Sequence, residues 1–401
     1  MSSRPQYDAF VITAPGLERL AVDELKALGR GDARAVDGGA TFAATRRTLY
    51  EANLHLRTAS RVVVRAADFG AKAFHELERR AAKVAWETFL SPKLAVSLRV
   101  TCRKSRLYHS DAVAERVASV IVSRVSGVHV ATSETDAPSQ LIVVRLMHDH
   151  CTISVDSSGP LLHLRGYRQA VAKAPLRETL AAAALLASGW RGDTPLIDPM
   201  CGSGTIPIEG ALIARRIAPG LGREFAFERW PDFDSSLWAG VVADARAQVM
   251  ARAPAPIKGS DRDAGAIAAA ISNADRAGVL NDVELSEQPI SALEPTVRPG
   301  FVISNPPYGV RVGERDRLRN LYAQLGNVLR AKCPGWRFAL LSADPVLERQ
   351  LRLRADSILR TSNGGIKVRV IAGEVTAGHG GYRTSDAPDA PDTSAAQRYS
   401  S

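Results

Sequence analysis

The chain has 401 residues, of which 45% are hydrophobic and 23% charged, enough to build two or three compact cores and too apolar for a disordered chain. The 52 Lys and Arg against 42 Asp and Glu leave a formal charge of +10, which favours an anionic partner such as nucleic acid. Cys102, Cys151, Cys201 and Cys333 have no paired spacing, so neither a disulfide framework nor a metal site is suggested, and no apolar run reaches the roughly 18 residues that span a bilayer.

In chain order, "YDAFVITA" reads as a strand and "GLERLAVDELKALG" as a helix stopped by glycine. A helix at "TLYEANLHL" then leads into the alternating strand "RVVVRAADF", giving a small α+β unit over 1–69. Over 70–160 a helix from Phe74 to Phe89, the strand "LAVSLRV" and a helix at "DAVAERVASVIVSRVSG" precede a hairpin of "LIVVRLM" and "CTISVD" around "HDH". That makes a second α+β unit, and its histidines lack ligand spacing.

From Leu161 the pattern changes to strands alternating with helices, the mark of a doubly wound parallel sheet. The strands are "TPLID", "IKGSD", "VELS", "FVIS" and "WRFALLS", followed by a pair around the hairpin signal "NGG". The expected architecture over 161–377 is therefore an open α/β sheet ending in an antiparallel hairpin. Residues 378–401, rich in Gly, Pro, Ser, Asp and Ala, are expected to be disordered.

Three strand ends carry chemistry. "PLID" runs into "PMCGSGT", where Gly202 and Gly204 let backbone approach a ligand and Asp198 offers acceptors; the third glycine of a dinucleotide fingerprint is missing, with Pro207 near its place. "KGSDRD" puts Asp261 at the second strand's end, where an acid holds a ribose diol or merely caps a helix. "FVISNPPYGV" delivers Asn305 to the same edge. Neither proline can donate a hydrogen bond, so the Asn305 amide oxygen and the Pro306 carbonyl form a two-acceptor site for an exocyclic amine, with Tyr308 offering a stacking face.

These stretches resemble the class I S-adenosylmethionine-dependent methyltransferases that carry a THUMP RNA-binding domain and methylate guanine N2 in RNA. The resemblance covers nearly the whole chain: "YDAFVITAPGLERLAVDELKALG" for an N-terminal ferredoxin-like unit, residues 70–157 for THUMP, "DPMCGSGT" for the cofactor loop, "SNPPYGVR" for the catalytic loop and "SNGGIKVRV" for the terminal hairpin. It is similar in particular to the N-terminal half of the bacterial large-subunit rRNA enzyme and to its stand-alone relatives. The fold it implies is a Rossmann-like class I sheet with a C-terminal antiparallel hairpin, preceded by ferredoxin-like and THUMP domains.

The same resemblance implies that Asp198, Met200, Cys201, Gly202, Ser203, Gly204, Thr205, Asp261, Arg262 and Asn305 bind S-adenosylmethionine, with Arg165 to Arg168 and Pro175 to Glu178 closing over it. Asn305, Pro306 and Tyr308 would hold the target base. One departure is Pro289, near the place where the family carries an acid against the cofactor's adenine. Arg99, Arg103, Lys104 and Arg106 of "RVTCRKSRLYH" would contact RNA phosphates. The expected activity is cytoplasmic guanine-N2 methylation of large-subunit rRNA, with tRNA as the alternative substrate and no metal or membrane involved. DNA adenine-N6 and protein glutamine-N5 methyltransferases share an Asn-Pro-Pro-Tyr loop, and an assembly factor that merely retains the fold is the non-catalytic alternative.

Overall fold

The structure, a computed structural model, describes residues 7–131, 139–168, 176–295, 299–308 and 315–376. The first half builds one sheet. Its elements are β1 (Tyr7–Thr13), α1 (Glu18–Ala27), β2 (Arg34–Val36), β3 (Gly39–Ala44), α2 (Arg46–His55), β4 (Ala59–Gly70), α3 (Phe74–Ala81), β5 (Ala95–Arg103), α4 (Ser110–Arg124), β6 (His129–Val130), β7 (Gln140–Met147) and β8 (His150–Asp156). They form an eight-stranded sheet in the order β2-β3-β1-β4-β8-β7-β5-β6. The two expected α+β units thus share a sheet, joined where the 12-residue β4 pairs antiparallel with β8.

Two local expectations change. The helix expected from Phe74 to Phe89 ends at Ala81, and its remainder is a loop with a 3-10 turn at Trp86–Thr88. The indole there is fully buried and donates to the Ala81 carbonyl at 3.0 Å, so burying Trp86 prevails over continued helical periodicity. The β2–β3 hairpin was not expected. Its signal is Asp37-Gly38, with Gly38 at φ +79°, a left-handed conformation that glycine adopts without strain at the second central position of a turn.

The second half comprises α5 (Glu178–Ala187), β9 (Leu196–Asp198), α6 (Thr205–Ala214), α7 (Ser235–Ala247), β10 (Ile257–Asp261), α8 (Ala264–Arg276), β11 (Glu284–Glu287), β12 (Phe301–Ser304), α9 (Arg315–Lys332), β13 (Arg337–Ser342), α10 (Pro345–Gln350), β14 (Asp356–Asn363) and β15 (Ile366–Glu374). The sheet order is β11-β10-β9-β12-β13-β15-β14, parallel from β11 to β13 and closed by the antiparallel β14–β15 hairpin. Strand order reverses between β9 and β12, and at such a switch point the strand ends open a crevice. The expected strands and hairpin are all present, while residues 378–401 lie outside the described residues.

The two halves interlock. The segment between α6 and β10 leaves the second half and packs into the first: Phe225, Phe227, Trp230, Val241 and Ala245 belong to the core under the eight-stranded sheet. Tyr50 stacks on Phe227 at 4.3 Å, and the Trp230 indole donates to Gln140 at 2.9 Å. In the other direction Leu17, before α1, is buried in the core of the second half. Gly16 lies so close to β14 that a Cβ there would meet the Arg360 carbonyl oxygen at 1.9 Å.

Candidate active site

The ends of β9, β10 and β12 converge at the switch point. Asp198 is 1% exposed, and its Oδ1 accepts from the Ser304 hydroxyl at 2.6 Å and the Met200 amide at 3.1 Å. These bonds tie neighbouring strand ends together and orient the carboxyl. Burial pushes the Asp198 carboxyl up to about 7 against the lowering effect of these two donors, and the nearby Asp261 charge adds to the rise.

The loop after β9 is held from several sides. The Cys201 amide donates to the Ser260 carbonyl at 2.9 Å, and the Gly202 amide donates to Asp261 Oδ2 at 3.0 Å. From α8, buried Asn273 donates to the Ser203 carbonyl at 3.0 Å. Gly204 adopts φ +83°, and a Cβ there would lie 2.9 Å from that of Ala270, so the loop and α8 approach closely because the residue is glycine. Gly202, at φ +53°, has no atom within 4 Å of where its Cβ would be and faces open space. Thr205 opens α6, and Cys201 is buried with its thiol pushed well up by burial and by Asp198 and Asp261.

Asp261 is half-buried. Its Oδ1 also accepts from the Asp263 amide at 3.1 Å, while Asp263, and not Asp261, caps α8 by accepting from Gly265 and Ala266. Arg262 is exposed beside it. Downstream, the Gln288 amide donates to the Asp261 carbonyl at 2.9 Å, and Pro289 leads into a 3-10 turn at Ile290–Ala292.

Asn305 follows Ser304 directly, and its Oδ1 is buried without a hydrogen-bond partner among the described residues. A buried amide oxygen left unpaired is costly unless a ligand supplies the donor. Pro306 is buried, and the Tyr308 hydroxyl accepts from Asn363 Nδ2 in the terminal hairpin at 3.0 Å. The segment before α5 completes the floor. Arg168 donates to Thr205 Oγ1 and to the Leu176 carbonyl, both at 2.7 Å, and pairs with Glu178 at 3.3 Å; Arg165 pairs with fully buried Glu209 at 3.5 Å. Pro175 lies outside the described residues. The structure therefore gathers Asp198, the 200–205 loop, Asp261, Asn305 and Tyr308 around one crevice. Ser304, Asn273, Asn363 and Glu209 support it but escaped the sequence reading; only Ser304, adjacent to Asn305, had a local signal.

Arg99, Arg103, Lys104 and Arg106 lie elsewhere, on β5 and the loop after it, and all four are exposed. Strand alternation turns Leu98, Val100 and Cys102 inward and Arg99 and Arg103 outward. The Arg106 amide donates to Asp149 in the β7–β8 turn at 2.6 Å.

The sheet order, the glycine loop at the switch point and the acid on the next strand define a class I methyltransferase, with S-adenosylmethionine as its methyl donor. The open cradle at Gly202 and the carboxylates at two strand ends fit that cofactor. Residues 165–371 match the family described as RMKL-like, methyltransferase domain, residues 8–63 the RlmL ferredoxin-like domain and residues 71–156 the THUMP domain. The chain belongs to this RMKL-like methyltransferase family.

A Synechocystis sp. protein named "Putative RNA methyltransferase slr0064" is 35% identical over 369 residues, covering 91% of this chain and 96% of its own. The ribosomal RNA large subunit methyltransferase K/L of Saccharophagus degradans is 36% identical over 375 residues, 90% of this chain and 50% of that protein. The chain thus spans about half the length of its K/L relatives. Among solved structures, that of SMU.472 complexed with SAH superposes with a TM-score of 0.83 at 30% identity, covering 91% of this chain and 97% of the other.

Proposed function

We propose that this protein transfers the methyl group of S-adenosylmethionine to the exocyclic N2 amine of a guanosine in RNA, with large-subunit ribosomal RNA as the first candidate. The observation that carries the reading is the buried Asn305 Oδ1 at the switch point, unpartnered among the described residues. An amine with two N–H bonds supplies the missing donor, and with the Pro306 carbonyl as second acceptor the nitrogen is oriented and its developing positive charge stabilised. Tyr308, steadied by Asn363, is the stacking face for the base.

The cofactor's sulfonium methyl is already activated, so the protein's work is positioning. Asp261 and the Gly202 loop would hold the cofactor's nucleoside end. The buried Cys201, its thiol pushed up, is unsuited to the thiolate attack that cytosine C5 methylation needs. Asn305 alone would also admit adenine N6 or a glutamine amide. RNA is favoured by the THUMP match, by the exposed Arg99, Arg103, Lys104 and Arg106, and by the names of the relatives. The test is methyl transfer to unmodified large-subunit rRNA, and in parallel to tRNA, followed by nuclease digestion and mass analysis. N2-methylguanosine is expected; N6-methyladenosine or 5-methylcytidine as the product would refute the guanine assignment.

A further inference from the structure

Beside the crevice, between the two halves of the molecule, lies a cleft of about 490 Å3. Pro15, from the β1–α1 loop, lines one side; Ala343 and Val368 add apolar wall, and Arg360, Thr361 and Lys367 of the terminal hairpin are among the other lining residues. Three observations point to a ligand there. Thr361 is 8% exposed, yet its Oγ1 has no hydrogen-bond partner among the described residues. Arg360 and Lys367 are exposed cations without an ion pair among the described residues, whereas their neighbour Arg369 is neutralised by Glu348. The cleft also reaches Ser342, the last residue of β13, whose parallel neighbour β12 ends next to Asn305. The hairpin that forms its wall is the one whose Asn363 holds Tyr308.

We propose that this cleft is a subsite for the nucleotide adjoining the methylated guanosine, an inference that rests on the RNA reading above. A flipped target base leaves its neighbours unstacked, and an unstacked neighbour needs an apolar surface for its base and cations for its phosphate. Pro15, Ala343 and Val368 provide the first, Arg360 and Lys367 the second, and the Thr361 hydroxyl bonds the sugar or the base edge. Because Pro15 belongs to the first half, that half then contributes to substrate selection at the catalytic edge, well away from the THUMP arginines.

The test compares the whole protein with the Arg360→Ala/Lys367→Ala double variant and with Thr361→Val, using transcribed, unmodified large-subunit rRNA. Both cations are exposed, so the double variant keeps the fold, which its affinity for S-adenosylmethionine verifies. Its KM for RNA should rise about 10-fold or more, with the effect on KM rather than kcat. The slope of log affinity against log salt should flatten by roughly 0.7 for each lost single-strand phosphate contact. Thr361→Val should raise the same KM without changing the salt slope. An unchanged KM and salt slope in a double variant that binds the cofactor would overturn the subsite while leaving the RNA reading intact. A wild-type protein that methylates no RNA would overturn both.

Discussion

Asn305 and Asp198 sit on neighbouring strand ends, and their side chains predict different failures. Asn305→Ala removes one of the two acceptors proposed to hold the amine, and losing one preorganised transition-state hydrogen bond should lower turnover by about 100- to 1000-fold. Cofactor affinity should survive, since the cofactor site proposed above is built mainly from the β9 and β10 loops; single-turnover methylation alongside calorimetry separates the two effects. Asp198 concerns pH. Its folded carboxyl is pushed up to about 7 from an ordinary 3.8, so between these values the native state holds a proton that the unfolded chain has released. The ligand-free protein should therefore lose stability as pH rises from about 4 to 7, and Asp198→Asn should remove that part of the slope. A cationic cofactor favours the ionised carboxylate, so affinity should climb over the same range with proton release, read as a buffer-dependent binding enthalpy. A pH-independent affinity between 5 and 8 would place the cofactor's charge away from Asp198.

At the scale of elements, the site is a junction in which one carboxylate does two jobs. Asp261 accepts from Gly202 and from Asp263, so it pins the loop of β9 to the end of β10 as well as facing the proposed ribose. Asp261→Ala should weaken S-adenosylmethionine by roughly 10- to 150-fold, the equivalent of about 1.5–3 kcal/mol for a charge-assisted bond. Calorimetry of the folded variant checks it, and unchanged affinity would mean the diol is held elsewhere. Much of this junction was legible in the sequence because strand, glycine loop and Asn-Pro-Pro-Tyr are local signals, each confined to a few residues. The bonds that brace it were not. Asn273 lies 70 residues from Ser203, and Ser304 lies 106 from Asp198, so no periodicity or spacing records them. Tyr308 and Asn363 are likewise joined only by the fold. The β2–β3 hairpin is a different kind of miss, since Asp37-Gly38 was a readable turn flanked by a three-residue strand too short to show alternation and by the mostly small residues of Gly39–Ala44.

At the scale of the whole molecule, the change of pattern at Leu161 suggests a catalytic half that could stand alone, but the cores do not separate there. On the first half's sheet, β1 and β5 are four strand spacings apart, roughly 19 Å, so an RNA held, as proposed, at Arg99 and Arg103 would have to cross that distance to reach Pro15 and the catalytic edge. Beside its proposed role as an RNA platform, the first half is structural support for the second. A chain beginning at Leu161 would expose Phe225, Phe227 and Trp230, three rings whose burial is worth roughly 1.5–3 kcal/mol each, together comparable with the 5–15 kcal/mol stability of an ordinary domain. Such a truncated chain is expected to aggregate or to bind S-adenosylmethionine poorly, even though every proposed cofactor contact lies downstream of residue 161. Phe227→Ala in the full chain isolates the cause. Its ring stacks on Tyr50, and removing it should cost about 3–5 kcal/mol, felt by both halves because the segment 225–245 belongs to the chain of one and the core of the other. Thermal unfolding followed by near-ultraviolet signal and by cofactor release should then shift together to lower temperature. A truncated chain that stays monomeric and binds the cofactor as tightly as the whole would show that the interlock joins two units already stable apart.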